Sequence, residues 1–190
     1  TGLRVKQLCV FKKLNLEPDI VTFAKIFGGG LPIGICCIND NLSKKLDKLK
    51  KKVFFGGTFS GNPFSSIVGL NTFKYIKKNK NKIFNHIQTI SNYIEKEINF
   101  YCKKKNIQFK IQSYDSILRP IFSNENILNK IQREIYDPNL SNTQDLRKYL
   151  LKNLIFVGRN GAIFISQKHN MNDAKKLVKI IIKFLKNKTS

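Results

Sequence analysis

Apolar and polar positions follow two different periods along the chain, and each period predicts one kind of element. Two short runs of β-branched and aromatic residues, 20–23 and 33–38, predict buried strands on either side of a glycine-rich turn. Over residues 41–52 the leucines recur at helical spacing with lysines on the other face, which predicts an amphipathic helix. Residues 53–60 then predict a loop or a short strand that ends in turn residues.

Two helices are predicted in the middle of the chain. The first begins at Pro63, because proline is tolerated in the first turn and Asn62 is a suitable N-cap, and it ends near residue 78. The second covers residues 82–105. Isoleucines recur along one face of this second helix, at Ile83, Ile87, Ile90, Ile94 and Ile98.

Short elements return in the C-terminal part of the chain. In chain order they are strands at 107–112 and 117–122, a helix at 143–152, a hairpin of 154–157 with 162–165, and an amphipathic helix at 173–186. The layout predicts the end of a large α/β domain over residues 1–80, a connecting helix over 81–105, and a small α+β domain over 106–190.

The charge of the chain raises the question of an acidic partner. The formal net charge is +23 over 190 residues, and a strongly basic protein is a candidate for binding nucleic acid or an acidic surface. Five of the 35 basic residues are arginine, at positions 4, 119, 133, 147 and 159, and the other 30 are lysine. Lysine, asparagine and isoleucine share adenine- and thymine-rich codons, so genome composition accounts for the bias. Nucleic-acid binding is therefore the less favoured alternative.

The cysteines and the apolar segments bear on the compartment. Cys36 and Cys37 lie in an apolar run, and with Cys9 and Cys102 they lack metal-ligand spacing, so we expect reduced, buried, structural thiols and no metal. The one long uncharged run contains glycines and a proline, which makes it a poor membrane helix. No export signal is evident, and we expect a cytoplasmic protein that does not bind membranes.

One lysine interrupts that apolar run. Lys25 is the only charged residue between Ile20 and Asn39. Burial would lower the pKa of its amine toward the neutral, nucleophilic form that makes Schiff bases with carbonyl compounds. The alternative interpretation is a structural lysine whose stem is buried and whose amine reaches water.

Three segments resemble the motifs of one enzyme family. They are residues 17–34 (EPDIVTFAKIFGGGLPIG), residues 57–63 (GTFSGNP) and residues 1–4 (TGLR). In this order and approximate spacing they are similar to the cofactor-lysine segment, the phosphate-contacting loop and the end of a third motif of class III aminotransferases. These enzymes use pyridoxal phosphate (PLP). The resemblance is sharp over residues 1–78 and faint beyond them.

The resemblance implies a fold, a cofactor and two site residues. The fold is that of the C-terminal part of a fold-type I PLP-dependent transferase of the α/β class. Lys25 would form the Schiff base with PLP and also transfer the proton between substrate and cofactor. Thr58 would donate a hydrogen bond to the cofactor phosphate across the interface of a homodimer. The reaction would move an amino group between an amino donor and a small aldehyde or keto acceptor.

Within the family, two activities stay open. Ser60 in the Ser-Gly-Asn-Pro segment and the Thr1–Arg4 motif are most similar to glutamate-1-semialdehyde aminomutases, whereas residues 156–162 depart from the aminomutase pattern. Arg119 and Arg159 are candidates for pairing with a substrate carboxylate, although both suit a bystander role. The family's aspartate that pairs with the pyridinium nitrogen is expected just before Thr1, so we expect this chain to be part of an enzyme and inactive alone.

Overall fold

The chain forms two compact units, Thr1–Asn81 and Lys82–Ser190. The computed structural model describes residues 2–6, 8–54, 56–138 and 140–189. Of the three segments that resemble family motifs, two lie wholly within these residues, and the segment 1–4 does so except for Thr1. One long helix contributes residues to both units.

Unit 1 contains a two-stranded antiparallel sheet. Its strands are β1 (Ile20–Ala24) and β2 (Gly34–Ile38), and their register pairs Ala24 with Gly34. The two predicted strands are confirmed, but the prediction that they are buried is wrong. Alternate side chains of β1 are exposed, and Ile20 is 55% exposed, because within the described part of unit 1 each strand has a single neighbour.

The thiols differ in burial from the sequence prediction. All four are free, Cys102 is buried and Cys9 is half-buried, but the adjacent pair Cys36 and Cys37 is exposed on β2. Successive strand residues point to opposite faces, and at these two positions neither face is covered. Burial raises the pKa of the Cys102 thiol to about 11 and keeps it protonated.

The short helices of unit 1 are α1 (Val10–Lys13), α2 (Asp40–Asp47) and two 3₁₀ turns, Gly2–Arg4 and Lys25–Gly28. Helix α2 is shorter than predicted. Asn39 caps its start, since its side-chain oxygen accepts the Leu42 N–H at 2.8 Å. Leu49 remains 45% exposed, so no burial holds a further turn beyond Asp47.

Helix α3 (Pro63–Lys105) runs without interruption for 43 residues. The predicted start is confirmed, because Asn62 accepts the Ser65 N–H at 3.1 Å. The predicted break between residues 78 and 82 is wrong, since the segment holds no glycine or proline and its lysines and asparagines tolerate a helix. The predicted isoleucine face is confirmed at Ile87, Ile90, Ile94 and Ile98, which are at most 5% exposed.

Unit 2 is built on a three-stranded antiparallel sheet in the order β3-β4-β5. The strands are β3 (Lys110–Tyr114), β4 (Ile117–Ile121) and β5 (Ile163–Phe164). The isoleucine face of α3 shares the core of this unit with buried residues of β3 and β4, such as Ile111 and Leu118, which are both fully buried. Burying each such aliphatic side chain stabilises the fold by about 1.5–3 kcal/mol.

A row of polar side chains on α3 satisfies the free edge of β3. Asn99 accepts the Ile111 N–H at 2.7 Å and donates to the Ile111 carbonyl at 2.9 Å. Four residues earlier, Glu95 accepts hydrogen bonds from the backbone and hydroxyl of Ser113, and Ser91 donates to the Asp115 carbonyl at 2.8 Å. We call these side chains the polar ladder of α3.

The remaining helices of unit 2 are α4 (Lys130–Tyr136), α5 (Leu140–Lys152) and α6 (Met171–Thr189). The sequence did not predict α4, and its predicted hairpin of residues 154–157 with 162–165 is wrong. Instead, β5 pairs with β4, with Leu118 opposite Ile163, while residues 154–157 are irregular and Leu154 is 90% exposed. Pairing with the buried β4 buries more apolar surface than a two-stranded hairpin can.

Candidate functional site

Lys25 occupies a strained position at the end of β1. It is the first residue of the 3₁₀ turn Lys25–Gly28, directly after the extended residue Ala24. Its φ of +58° lies in the left-handed region, which costs an L-residue about 1–2 kcal/mol. Backbone strain of this kind concentrates at functional sites, where the surrounding structure holds a side chain in one required direction.

The Lys25 side chain is exposed and borders two cavities of unit 1. The apolar run predicted burial of its stem at least, and this prediction is wrong. The reason is the glycines that flank it: a Cβ placed on Gly30 or Gly34 would meet no atom within 4 Å, so open space surrounds the turn.

The first cavity, of 560 Å³, lies between the Gly2–Arg4 turn and the two strands. Its polar side chains are Arg4, Thr22, Cys36 and Lys25. No carboxylate is among its described lining residues, whereas two cations are, so the cavity favours an anionic or electron-rich ligand.

The second cavity, of 1190 Å³, joins Lys25 to the phosphate-loop motif and the start of α3. Its lining combines glycines with the hydroxyls of Ser60, Ser65 and Ser66. Backbone N–H groups at a helix N-terminus attract anions, and the positive end of the helix dipole adds to this attraction. The structure thus brings together a lysine, serine hydroxyls and a helix start around one space.

Thr58 is not part of that lining. It lies exposed in the turn formed by residues 57–61, in which the Ser60 N–H donates to the Gly57 carbonyl at 2.9 Å. The structure therefore places both predicted site residues in unit 1, but within this chain it does not bring Thr58 into the cavity beside Lys25.

Close packing between α3 and the turn after Lys25 fixes the wall of the site. A Cβ on Gly69 of α3 would lie 2.6 Å from the Phe27 carbonyl oxygen, so only glycine allows this approach. The ring of Phe27 stacks on that of Phe73 at a centroid distance of 5.8 Å and packs tilted against that of Phe23 at 4.7 Å. Sequence reasoning missed Gly69, whose only signal is a lone glycine in a helical pattern.

The candidate residues in unit 2 have ordinary surroundings with one exception. Arg159 is exposed, and His86 Nε2 lies 2.8 Å from the carbonyl oxygen of His169, a partner that the sequence did not suggest. Arg119, by contrast, is half-buried beside Arg133 and Asp137. Over the part of the chain that the structure describes, no group of three or more histidine, cysteine or acidic side chains is arranged to hold a metal.

Comparison with known proteins identifies a single family. The sequence profile described as "Aminotransferase class-III" matches residues 7–114. A glutamate-1-semialdehyde 2,1-aminomutase from Caldicellulosiruptor bescii is 32% identical over 190 residues, which cover 99% of this chain and 44% of that protein. The chain thus spans less than half the length of the curated relatives it matches.

Solved structures share the fold. A β-phenylalanine aminotransferase from Variovorax paradoxus superposes with a TM-score of 0.81 at 16% identity, over 98% of this chain and 43% of that one. A transaminase with PLP bound superposes with a TM-score of 0.76 at 19% identity, over 98% and 42% of the two chains.

Among the described helices, none combines the length and apolar character that crossing a bilayer requires.

Proposed function

The chain belongs to the class III aminotransferase family, and on this premise we propose that it forms part of a PLP-dependent aminotransferase in which Lys25 holds the cofactor. The observation that carries the proposal is the position of Lys25. Lys25 lies in a strained left-handed turn directly after β1. Its side chain borders two cavities whose described lining residues include no carboxylate.

The surroundings of Lys25 fit this cofactor. An aldehyde needs an accessible amine, and Lys25 is exposed. A flat ring needs room close to the backbone, and Gly30 and Gly34 leave space that a Cβ would fill. A phosphate needs donors, and the hydroxyls of Ser60, Ser65 and Ser66 line the second cavity at the positive end of the α3 dipole. When bound, PLP supplies an electron sink for the substrate carbon that bears the amine.

Two residues of this chain would act directly. Lys25 Nζ would hold the cofactor by its aldehyde, and as a free amine it would accept the proton of the substrate carbon and return it. The Thr58 hydroxyl donates to the cofactor phosphate. Because Thr58 does not line the cavity beside Lys25 of its own chain, we assign its hydrogen bond to the site of a second subunit.

A homodimer is part of the proposal, and exposed apolar residues near the start of α3 support it. Five such residues surround the phosphate loop: Phe54 (87% exposed), Phe59 (82%), Phe64 (69%), Ile67 (60%) and Leu70 (52%). Phe64, Ile67 and Leu70 recur at three-residue spacing along α3, and exposed apolar patches mark interaction sites in soluble proteins. A second copy that covers this surface would also carry its own Thr58 to the interface.

An aminomutase is the second candidate activity. Several curated relatives that match 95–99% of this chain carry the name glutamate-1-semialdehyde 2,1-aminomutase. An aminomutase moves the amino group within one substrate, whereas an aminotransferase needs a separate donor and acceptor. Turnover of glutamate-1-semialdehyde without an added amino donor would favour the aminomutase; a strict need for a second substrate would favour the aminotransferase.

The remaining assignments are narrower proposals. We assign residues 1–80 to the large cofactor-binding domain, 81–105 to a connecting helix and 106–190 to the small domain. The four free thiols support a reducing, cytoplasmic location. A small amino or keto compound is the substrate, and the family membership favours this enzyme over a basic nucleic-acid or acidic-surface binding module.

Reductive labelling tests the assignment of Lys25. The full-length enzyme of which this chain forms part is incubated with PLP, reduced with borohydride and digested, and the modified lysine is located by mass spectrometry. We expect the label at Lys25, and we expect Lys25→Ala to lose the label, the visible absorption band of the bound cofactor and turnover. Loss of proton transfer alone lowers the rate by about 10²–10⁴-fold.

The control is Lys45→Ala, which removes another exposed lysine of unit 1, on helix α2. This variant should keep the label, the band and the rate. A label on any other lysine, with Lys25 unmodified, would refute the assignment.

A further inference from the structure

Unit 2 holds a group of charged side chains on β4 and α4 in which Asp137 is buried and Arg119 and Arg133 are half-buried. Arg119 lies on β4 opposite Gln112 of β3, and the segment between β4 and α5 covers this region. The Gln112 amide donates to the Ile127 carbonyl at 3.2 Å. At the end of the segment the Asp137 carboxylate, only 6% exposed, accepts the Phe122 N–H at 3.3 Å.

Helix α4 faces this region with its charged side and not its apolar side. Ile131 and Ile135 are 69% and 62% exposed, whereas Arg133 is half-buried and Asp137, four residues later, is buried. The Asp137 N–H caps the helix by donating to the Arg133 carbonyl at 2.9 Å. The helix therefore meets the sheet through charged groups, at the expense of apolar burial.

The guanidinium groups here have more donors than acceptors. Arg119 Nη2 and Arg133 Nε are both buried, and neither has a hydrogen-bond partner among the described residues. In that part of the chain, no ion pair within 4 Å joins either arginine to Asp137. A buried donor without an acceptor costs about 1–3 kcal/mol, and more when it is charged.

The group contains two positively charged side chains and one negatively charged side chain. Burial lowers the pKa of Arg119, repulsion from Arg133 lowers it further, and the Asp137 carboxylate opposes both effects. Burial likewise raises the pKa of Asp137, against the Phe122 N–H bond and the two arginines. One carboxylate thus lies near two guanidinium groups. A second anion would reduce the repulsion between the two arginines and accept hydrogen bonds from their unpartnered N–H groups.

We propose that Arg119 and Arg133 bind a small oxyanion, a carboxylate or a phosphate, between β4 and α4. The planar guanidinium fork matches the geometry of both groups, which a lysine ammonium does not. That these positions are arginine in a chain with 30 lysines and five arginines agrees with a need for the fork. The proposal does not depend on the aminotransferase activity.

Binding of two probe anions to the whole protein tests the proposal. Sodium phosphate and sodium succinate are titrated by calorimetry into the enzyme loaded with PLP, so that the proposed cofactor site is already occupied, and sodium chloride is adjusted so that ionic strength stays constant. The net charge of +23 makes this adjustment essential, because surface lysines attract any anion. We expect one saturable site for at least one probe, and the probe that binds more tightly identifies the ligand as a phosphate or a carboxylate.

Four variants assign that site. Arg119→Gln and Arg133→Gln should each weaken binding about tenfold or more, the loss expected for one charge-assisted hydrogen bond. Asp137→Asn keeps the acceptor for Phe122 but removes the competing charge, so it should tighten binding. Lys148→Gln is the control, because Lys148 is an exposed cation of the same unit, on α5, and it should bind as the unmodified protein does.

Two outcomes would overturn the proposal: no saturation beyond the chloride control, or equal affinity in Arg119→Gln and Lys148→Gln. Circular dichroism checks that each variant folds. If Arg119→Gln does not fold, Arg119→Lys replaces it, since it keeps the charge and loses the fork, and it should also bind about tenfold more weakly. If neither folds, unchanged affinity in Asp137→Asn refutes the site and tighter binding supports it.

Discussion

At the scale of single residues, two adjacent glycines after Lys25 share a left-handed backbone but differ in the space around them. Gly29 has a φ of +60° and Gly30 a φ of +103°. A Cβ on Gly29 would lie 2.9 Å from Val68 Cγ1 and still closer to the Thr72 hydroxyl, whereas a Cβ on Gly30 would meet nothing within 4 Å. Replacing each glycine by alanine therefore separates the cost of the backbone strain from the cost of the steric clash with α3.

We predict that Gly29→Ala destabilises the protein more than Gly30→Ala. The positive φ costs each variant about 1–3 kcal/mol, and Gly29→Ala adds about 1–3 kcal/mol because its Cβ would clash with the side chains of Val68 and Thr72 on α3. Urea denaturation of both variants measures the two free energies of unfolding. Equal losses would mean that the turn does not pack against α3 as described.

At the scale of elements, the polar ladder of α3 makes β3 depend on a helix. Asn99 makes two hydrogen bonds to the backbone of Ile111, at 2.7 and 2.9 Å, from a half-buried position. Its removal leaves an N–H and a carbonyl at the sheet edge without partners. The contribution of the ladder is therefore measurable at one residue.

We predict that Asn99→Ala lowers the free energy of unfolding by about 2–4 kcal/mol, because two backbone groups lose their partners in a part-buried site. Asn79→Ala is the matched control on the same helix. Its side chain only donates to the Tyr75 carbonyl within the helix, so its loss should cost about 0.5 kcal/mol or less. A similar cost for both variants would contradict the role of the ladder.

The elements also show which features the residues could predict. The start of α3 and its isoleucine face follow from Asn62, Pro63 and a regular period, which are local signals. The burial of β1 and the end of α2 depend on what covers them, and no local signal carries that information. For the candidate site, the lysine motif predicts a role for Lys25, but the exposure and the left-handed backbone of Lys25 follow from the glycines around it and from the fold.

At the scale of the whole molecule, the exposed apolar residues near the start of α3 bear on assembly. Phe64 and Ile67 lie on the first turns of the helix and are 69% and 60% exposed. Neither contributes to the core of unit 1, so replacing one of them should leave the fold intact. Ile67 lines neither cavity beside Lys25, so its replacement should act through association.

We predict that Ile67→Asp converts the proposed dimer into a monomer and weakens PLP binding, because a charge buried in an apolar interface is costly and the partner's Thr58 is lost. Ile131→Asp is the matched control, since Ile131 is similarly exposed, at 69%, on α4. Light scattering coupled to gel filtration measures the mass of both. A dimer that survives Ile67→Asp would place the interface elsewhere.

The polar ladder also sets a limit on its own length. Four helix residues advance about 6.0 Å along the axis, while two residues of an antiparallel strand advance about 6.8 Å. Over the three helix residues 91, 95 and 99, the mismatch between the advance of the helix and that of the strand reaches about 1.6 Å. Donor–acceptor distances of hydrogen bonds vary by only about 0.5 Å. A helix can therefore serve as a neighbour to a strand for a few residues only. One residue inserted between Ser91 and Asn99 would turn the later rung by about 100° away from the sheet, so in this family of folds length changes in α3 should be confined to the turns before Ser91 or after Asn99.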